Sequence, residues 1–117
     1  MIPVGIEHRG DGVTILSPAG RLTIGPSLAA LAEAVDEACR ESAPRVVLDL
    51  AGVTYVDSAA LGEIVAARRR ILAAGGAFAL ARPRGKVRDL LELTRLGDLV
   101  AVRESLENAA RVVLASS

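Results

Sequence analysis

Histidine and cysteine each occur once in this chain of 117 residues, at His8 and Cys39, and tryptophan is absent. These shortages exclude most site chemistries. A Cys/His metal centre needs ligands paired at short spacing, and the sequence has no such pair. Ser–His and Cys–His nucleophilic arrangements would all depend on His8, which sits in a β-prone segment beside Arg9, with nothing to bring it near Ser58 or Cys39. Tyr55 and Phe78 are the only aromatic residues, too few for the stacking platform that grips single-stranded nucleic acid. The 14 basic residues balance the 14 acidic ones, so no long-range field draws in polyanions or anionic membrane. No G-x-G-x-x-G follows a strand-like run and no G-x-x-x-x-G-K-S/T occurs, which removes the usual phosphate cradles. No apolar stretch approaches the roughly 20 residues of a membrane span, and the first residues show no basic leader followed by an apolar run. The expectation is a cytoplasmic protein with no metal, no cofactor and no turnover chemistry, whose partner affinity comes from local complementarity.

The composition is 51% hydrophobic, enough to build one globular domain over residues 1–117. Val4 to Arg9 and Val13 to Ala19 read as strands of a hairpin turned by Gly10-Asp11-Gly12. The adhesion-like tripeptide Arg9-Gly10-Asp11 falls in that turn and is read as turn chemistry. Gly25-Pro26-Ser27 opens a helix in which Leu28, Leu31, Ala32, Val35, Ala38 and Cys39 recur at helical spacing. Cys39, sharing a face with Leu31 and Val35, reads as a buried thiol. Val46-Val47-Leu48-Asp49-Leu50 is too uniformly apolar for a strand with one wet face, so it is expected to be central and covered on both sides.

After a loop through Gly52, a second helix starts near Ser58, with Leu61, Ile64, Val65, Arg68, Ile71 and Leu72 on one stripe and Gly75-Gly76 as its stop. Within Arg68-Arg69-Arg70, successive residues point different ways, which favours a solvated helix end over a phosphate site. Ala77 to Ala81 forms a strand, Val87 to Thr94 a short helix, Val100 to Val102 a strand, and Leu106 to Leu114 a closing helix. The order β-β-α-β-α-β-α-β-α implies an α/β fold: a mixed, mostly parallel sheet with an N-terminal hairpin and four helices.

A phosphoacceptor-aspartate receiver has a similar layout, but it needs an acidic pair after its first parallel strand, and Gly20-Arg21-Leu22-Thr23 supplies none. The basic loop Arg82-Pro83-Arg84-Gly85-Lys86 precedes a helix and leaves a nucleotide-binding reading open beside that of a solubilising connector. The remaining candidate is Val53-Thr54-Tyr55-Val56-Asp57-Ser58-Ala59-Ala60-Leu61-Gly62, which delivers Asp and Ser to a helix N-terminus. Both are good N-caps, so from the residues alone a plain cap and a functional turn are both open.

This loop, the strand before it and the helix after it closely resemble the anti-sigma factor antagonists of the STAS domain family. Gly20-Arg21-Leu22, Gly75-Gly76 and Val87-Arg88-Asp89-Leu90-Leu91-Glu92-Leu93 also sit where that family has similar segments, so the likeness spans nearly the whole chain. The resemblance implies a STAS-like fold and a switch in which Ser58 is phosphorylated by an anti-sigma factor of the serine kinase type. Unphosphorylated, such a protein sequesters the anti-sigma factor and frees a sigma factor; a serine phosphatase resets it. The implied docking residues are Thr23, Asp57, Ser58, Ala59, Ala60, Leu61 and Gly62. Two positions depart from the family pattern: Ala60 replaces a frequent glycine, adding a methyl group where a kinase loop is expected to approach, and Thr23 replaces a frequent acidic residue. The same fold could instead serve as an accessory interaction subunit of a transporter or another signalling complex.

Overall fold

The computed structural model describes residues 4–115. Its elements are β1 (Val4–His8), β2 (Val13–Pro18), β3 (Gly20–Leu22), α1 (Pro26–Ala38), β4 (Arg45–Asp49), β5 (Val53–Val56), α2 (Ser58–Ala73), β6 (Ala77–Ala81), α3 (Gly85–Leu93), a 3-10 turn (Leu96–Asp98), β7 (Ala101–Arg103) and α4 (Leu106–Ala115). A five-stranded sheet runs in the order β1-β2-β4-β6-β7, antiparallel between β1 and β2 and parallel at every later pairing. The mixed, mostly parallel sheet with its N-terminal hairpin is therefore as expected. β3 and β5, for which the sequence predicts no strand, form a separate two-stranded parallel sheet.

The hairpin turn explains itself locally. Gly12 has φ 90°, its N–H donates to the Arg9 carbonyl, and the Arg9 N–H donates to Val13 at 2.8 Å, the geometry of a type I turn closed by a glycine bulge. Asp11 accepts the Val13 N–H at 3.1 Å and pairs with Arg9 at 2.9 Å, so the Arg-Gly-Asp sequence is engaged in its own turn.

β4 is covered on both faces, as its apolar run predicts. Val46 and Leu48 join the larger core cluster with residues of α1, α2 and α3, while Val47 joins a second cluster with α4. β6 divides likewise: Phe78 and Leu80 face the larger core, and Ala77, Ala79 and Ala81 face Ala109, Ala110 and Val113 of α4. Small residues on both sides of that second layer let the helix lie close to the sheet.

Helix ends follow the glycines. Beyond α2, Gly75 at φ 82° donates to Leu72 and Gly76 donates to Ile71 at 2.9 Å, the paired bonds of a Schellman stop. A Cβ on Gly76 would lie 2.0 Å from the Pro44 carbonyl oxygen, so the turn also needs glycine for space. Several side chains differ from expectation. Cys39 follows the last residue of α1 as its C-cap and is half-buried; burial still pushes its thiol pKa up, against reactivity. Ala34, not Ala32, completes the buried stripe of α1, and Leu72 is 44% exposed where α2 runs past the core. Arg70 pairs with Glu63 at 2.6 Å and with Asp36 at 3.5 Å, so one arginine of the triplet joins α2 to α1.

Candidate functional site at the start of the second helix

β3 and β5 lie side by side, with Leu22 opposite Val56, so the residues after each strand emerge together at one end of the small sheet. From β3 come Thr23 and Ile24; from β5 come Asp57 and Ser58. The carboxylate of Asp57 joins them. It accepts the Ala60 N–H at 2.8 Å, as an N-cap, and the Ile24 N–H at 3.0 Å from the other chain segment. These backbone hydrogen bonds, the one from Ile24 foremost, hold the Asp57 carboxyl below its ordinary pKa and keep it ionised.

The segment ahead of α1 is fixed by a second device. Gly25 caps α1 with no side chain to offer, and buried Ser27 supplies what is missing: its hydroxyl donates to the Thr23 carbonyl at 3.0 Å and accepts the Thr23 N–H at 3.1 Å. Thr23 is half-buried and its backbone is committed to this exchange.

Ser58 is the first residue of α2 and is exposed, as is Gly62 one turn later, where a Cβ would meet open space. Ala59 and Leu61 are half-buried, Leu61 against the larger core. Ala60 is the exception among the expected docking residues. It is 0% exposed, because the helix phase turns position 60 inward with Ile64, and its methyl group fills core instead of facing an approaching partner. Its backbone N–H contributes to the site through Asp57.

Sequence reasoning missed three residues here. Ile24 is 78% exposed beside Asp57, and the Arg21 guanidinium stacks 4.3 Å above the Tyr55 ring on the outer face of the small sheet. Arg21 and Tyr55 are register neighbours in β3 and β5, an adjacency that follows only from the unforeseen strand pairing.

The site has an exposed hydroxyl beside a carboxylate whose oxygens are occupied by backbone donors. Such a carboxylate is a poor general base. His8 is exposed at the far end of β1, near Thr14, and Cys39 lies at the end of α1, so neither joins Ser58. No cluster of metal-ligating side chains occurs among the described residues, and none of their helices is long and apolar enough to cross a membrane. A separate cleft of about 390 Å³ between α3 and β7 is lined by Leu91 and Val102 with Arg88 and Glu104, which are paired to each other. It holds none of the expected site residues.

The STAS domain family model matches residues 7–109. A Thermotoga maritima protein assigned as an anti-sigma factor antagonist is 33% identical over 103 residues, covering 88% of this chain and 91% of that protein. The crystal structure of such an antagonist from the same organism superposes with TM-score 0.83 at 31% identity, over 95% of this chain and 94% of that one. An anti-sigma factor antagonist from Mycobacterium paratuberculosis gives 0.80 at 28% identity, over 97% and 95%. The unphosphorylated antagonist SpoIIAA, at 14% identity and TM-score 0.71 over 98% and 100%, shares the fold. With its sheet order, its helix-start site and a match over most of its length, this chain belongs to the STAS domain family.

Proposed function

We propose that this protein is an anti-sigma factor antagonist, a binding module without turnover chemistry, whose docking face is the surface around Ser58. Unphosphorylated, it sequesters an anti-sigma factor in the cytoplasm and frees a sigma factor. The anti-sigma factor, of the serine kinase type, phosphorylates Ser58 and thereby releases itself, and a serine phosphatase restores the hydroxyl. Thr23, Asp57, Ala59, Leu61 and Gly62 shape the face, and Ala60 supports it from the core.

The observation that carries this reading is the exposed Ser58 hydroxyl on a helix start that Asp57 ties to the Ile24 segment. A rigid backbone around one exposed hydroxyl suits a group that is modified, and the lack of a base beside it suits a substrate better than a nucleophile. The test is incubation with kinase-type anti-sigma factors of the source organism and ATP, followed by mass spectrometry and binding measurements. One phosphoryl group on Ser58, with loss of the complex, is the expected result. A complex that persists after full phosphorylation would favour the fixed interaction surface of an accessory subunit.

A further inference from the structure

The main sheet has two edge strands, β1 and the shorter β7, and the hydrogen-bonding pattern of β1 is self-complementary. Among the described residues its only strand partner is β2. Arg9 lies opposite Val13 and donates to it at 2.8 Å, so by strand alternation Glu7 and Gly5 turn their amide groups toward β2. Val4, Ile6 and His8 therefore turn their N–H and C=O groups outward, to the open edge. Such an edge is a template for another strand, and natural proteins usually blunt it with lysine, proline or a bulge. Val4–His8 holds no lysine, proline or bulge, and its one charged side chain is Glu7.

We infer that β1 pairs with β1 of a second copy, antiparallel about a two-fold axis at Ile6, and so joins the two five-stranded sheets into one. With Ile6 opposite Ile6 of the partner subunit, Val4 falls opposite the partner subunit's His8, and all three outward residues fall in hydrogen-bonded positions. The register also places Glu7 opposite the partner subunit's Gly5, so no like charges stand directly across from each other. Ile6, 50% exposed in the single chain, becomes covered by its own copy. Other antiparallel registers about a two-fold axis at this edge either shorten the ladder or bring the Arg9-Asp11 turn into it. The contact requires nothing of Ser58 and stands independently of the function proposed above.

A five-residue edge buries less than the roughly 1,200–2,000 Å² of a stable interface, so the association is weak. Sedimentation of the purified chain at concentrations up to about 500 µM tests it. Wild type should show a monomer–dimer equilibrium. Ile6→Pro removes an N–H that points outward, leaving the β1–β2 ladder whole, and should weaken association by at least about tenfold. Because proline could also disturb β1, Ile6→Cys gives a second reading: position 6 lies on the axis, so mild oxidation should link two copies through that position, identified by peptide mapping. A chain that stays monomeric to about 500 µM, or a dimer that survives Ile6→Pro and gives no link at position 6, overturns the inference.

Discussion

The Asp57 carboxylate accepts the backbone N–H of Ile24 at 3.0 Å across 33 positions of sequence, and through it the start of α2 is bound to the segment that enters α1. Neither partner of this bond is a side-chain pair that a motif would reveal. The donor is a backbone amide, and it is in reach only because β3 and β5 run side by side into it. The exposed Ile24 side chain and the Ser58 hydroxyl are thus held in one fixed relation, which a docking partner can read as a single surface.

Removing the acceptor should loosen that relation before it endangers the fold. Asp57→Ala deletes both the cap on Ala60 and the bond to Ile24, while the core residues Ala60, Ile64 and Leu22 keep their packing. Phosphorylation of Ser58 by the cognate kinase should fall by about tenfold or more, because the hydroxyl is no longer held in one place for transfer. A folded variant modified at the wild-type rate would show that the tether is irrelevant to the kinase.

Acid should act on the same bond in a predictable direction. The Asp57 carboxyl titrates below its ordinary value of 3.8 because the N–H groups of Ile24 and Ala60 favour the ionised form. A depressed folded-state pKa stabilises the fold fully at neutral pH. That stabilisation begins to fade as the pH drops toward the ordinary carboxylate value and is gone once it passes below the folded one. The Ile24 and Ala60 amide resonances should therefore shift together in an acid NMR titration with a midpoint under 3.8. In Asp57→Asn that coupled transition should vanish.

How much of this was readable from residues alone depended on element length. β4 was legible because the run Val46-Val47-Leu48 has no solvated face to explain it, β6 because all five of its positions are apolar, and α2 because its stop is written in Gly75-Gly76. β3 and β5 were not, since three and four residues are too few for alternation to show, and the burial of Val53-Thr54-Tyr55-Val56 does not alternate. Their invisibility hid the Arg21–Tyr55 stack and the Ile24 tether. Ala60 illustrates the complementary error, because its place in a motif suggested a surface role while the helix phase turns it into the core.

A second polar anchor lies at the C-terminal ends of β4 and β6. Arg82 sits at φ 57° and forks onto buried Asp49 with bonds of 3.1 and 2.6 Å, joining the ends of β6 and β4. Arg82→Ala keeps the unfavourable φ and leaves the carboxylate with the Ala51 N–H as its remaining donor. Denaturant unfolding should show a loss of about 1–3 kcal/mol, the usual consequence of an under-satisfied buried acceptor, moderated by the partial exposure of the pair.

The Schellman turn makes the sharpest stability prediction. Gly76→Ala would press a methyl group against Pro44, whose carbonyl oxygen, 2.0 Å from the added carbon, is itself the acceptor for Ala77. The backbone on neither side can yield without breaking the start of β6. A loss of about 1–3 kcal/mol or more is expected from the overpacking. Gly62→Ala, which adds the same methyl group in open space, serves as the control and should leave the midpoint unchanged or raised, since alanine favours a helix interior by up to about 1 kcal/mol. Equal midpoints for the two variants would refute the packing argument.

Phosphorylation of Ser58 should break docking without unfolding the domain, because its charge meets two opposing influences within the protein and only unfavourable ones at a docked surface. A phosphoserine adds about −1.5 to −2 charge. At the first residue of α2 the helix dipole favours that charge, but the ionised Asp57 carboxylate already occupies the helix end and repels it. The two effects offset each other at an exposed position, so the melting temperature should scarcely move. In a complex the group must lose water and fit where a hydroxyl fitted. Each ~1.4 kcal/mol lost there weakens binding tenfold. Ser58→Ala should accordingly bind a cognate anti-sigma factor constitutively, and Ser58→Asp should bind it more weakly than wild type at the same melting temperature. Calorimetric titration of the three proteins against that partner decides the matter: equal affinities for all, together with unchanged binding after stoichiometric phosphorylation, would reduce Ser58 to the first residue of an ordinary helix.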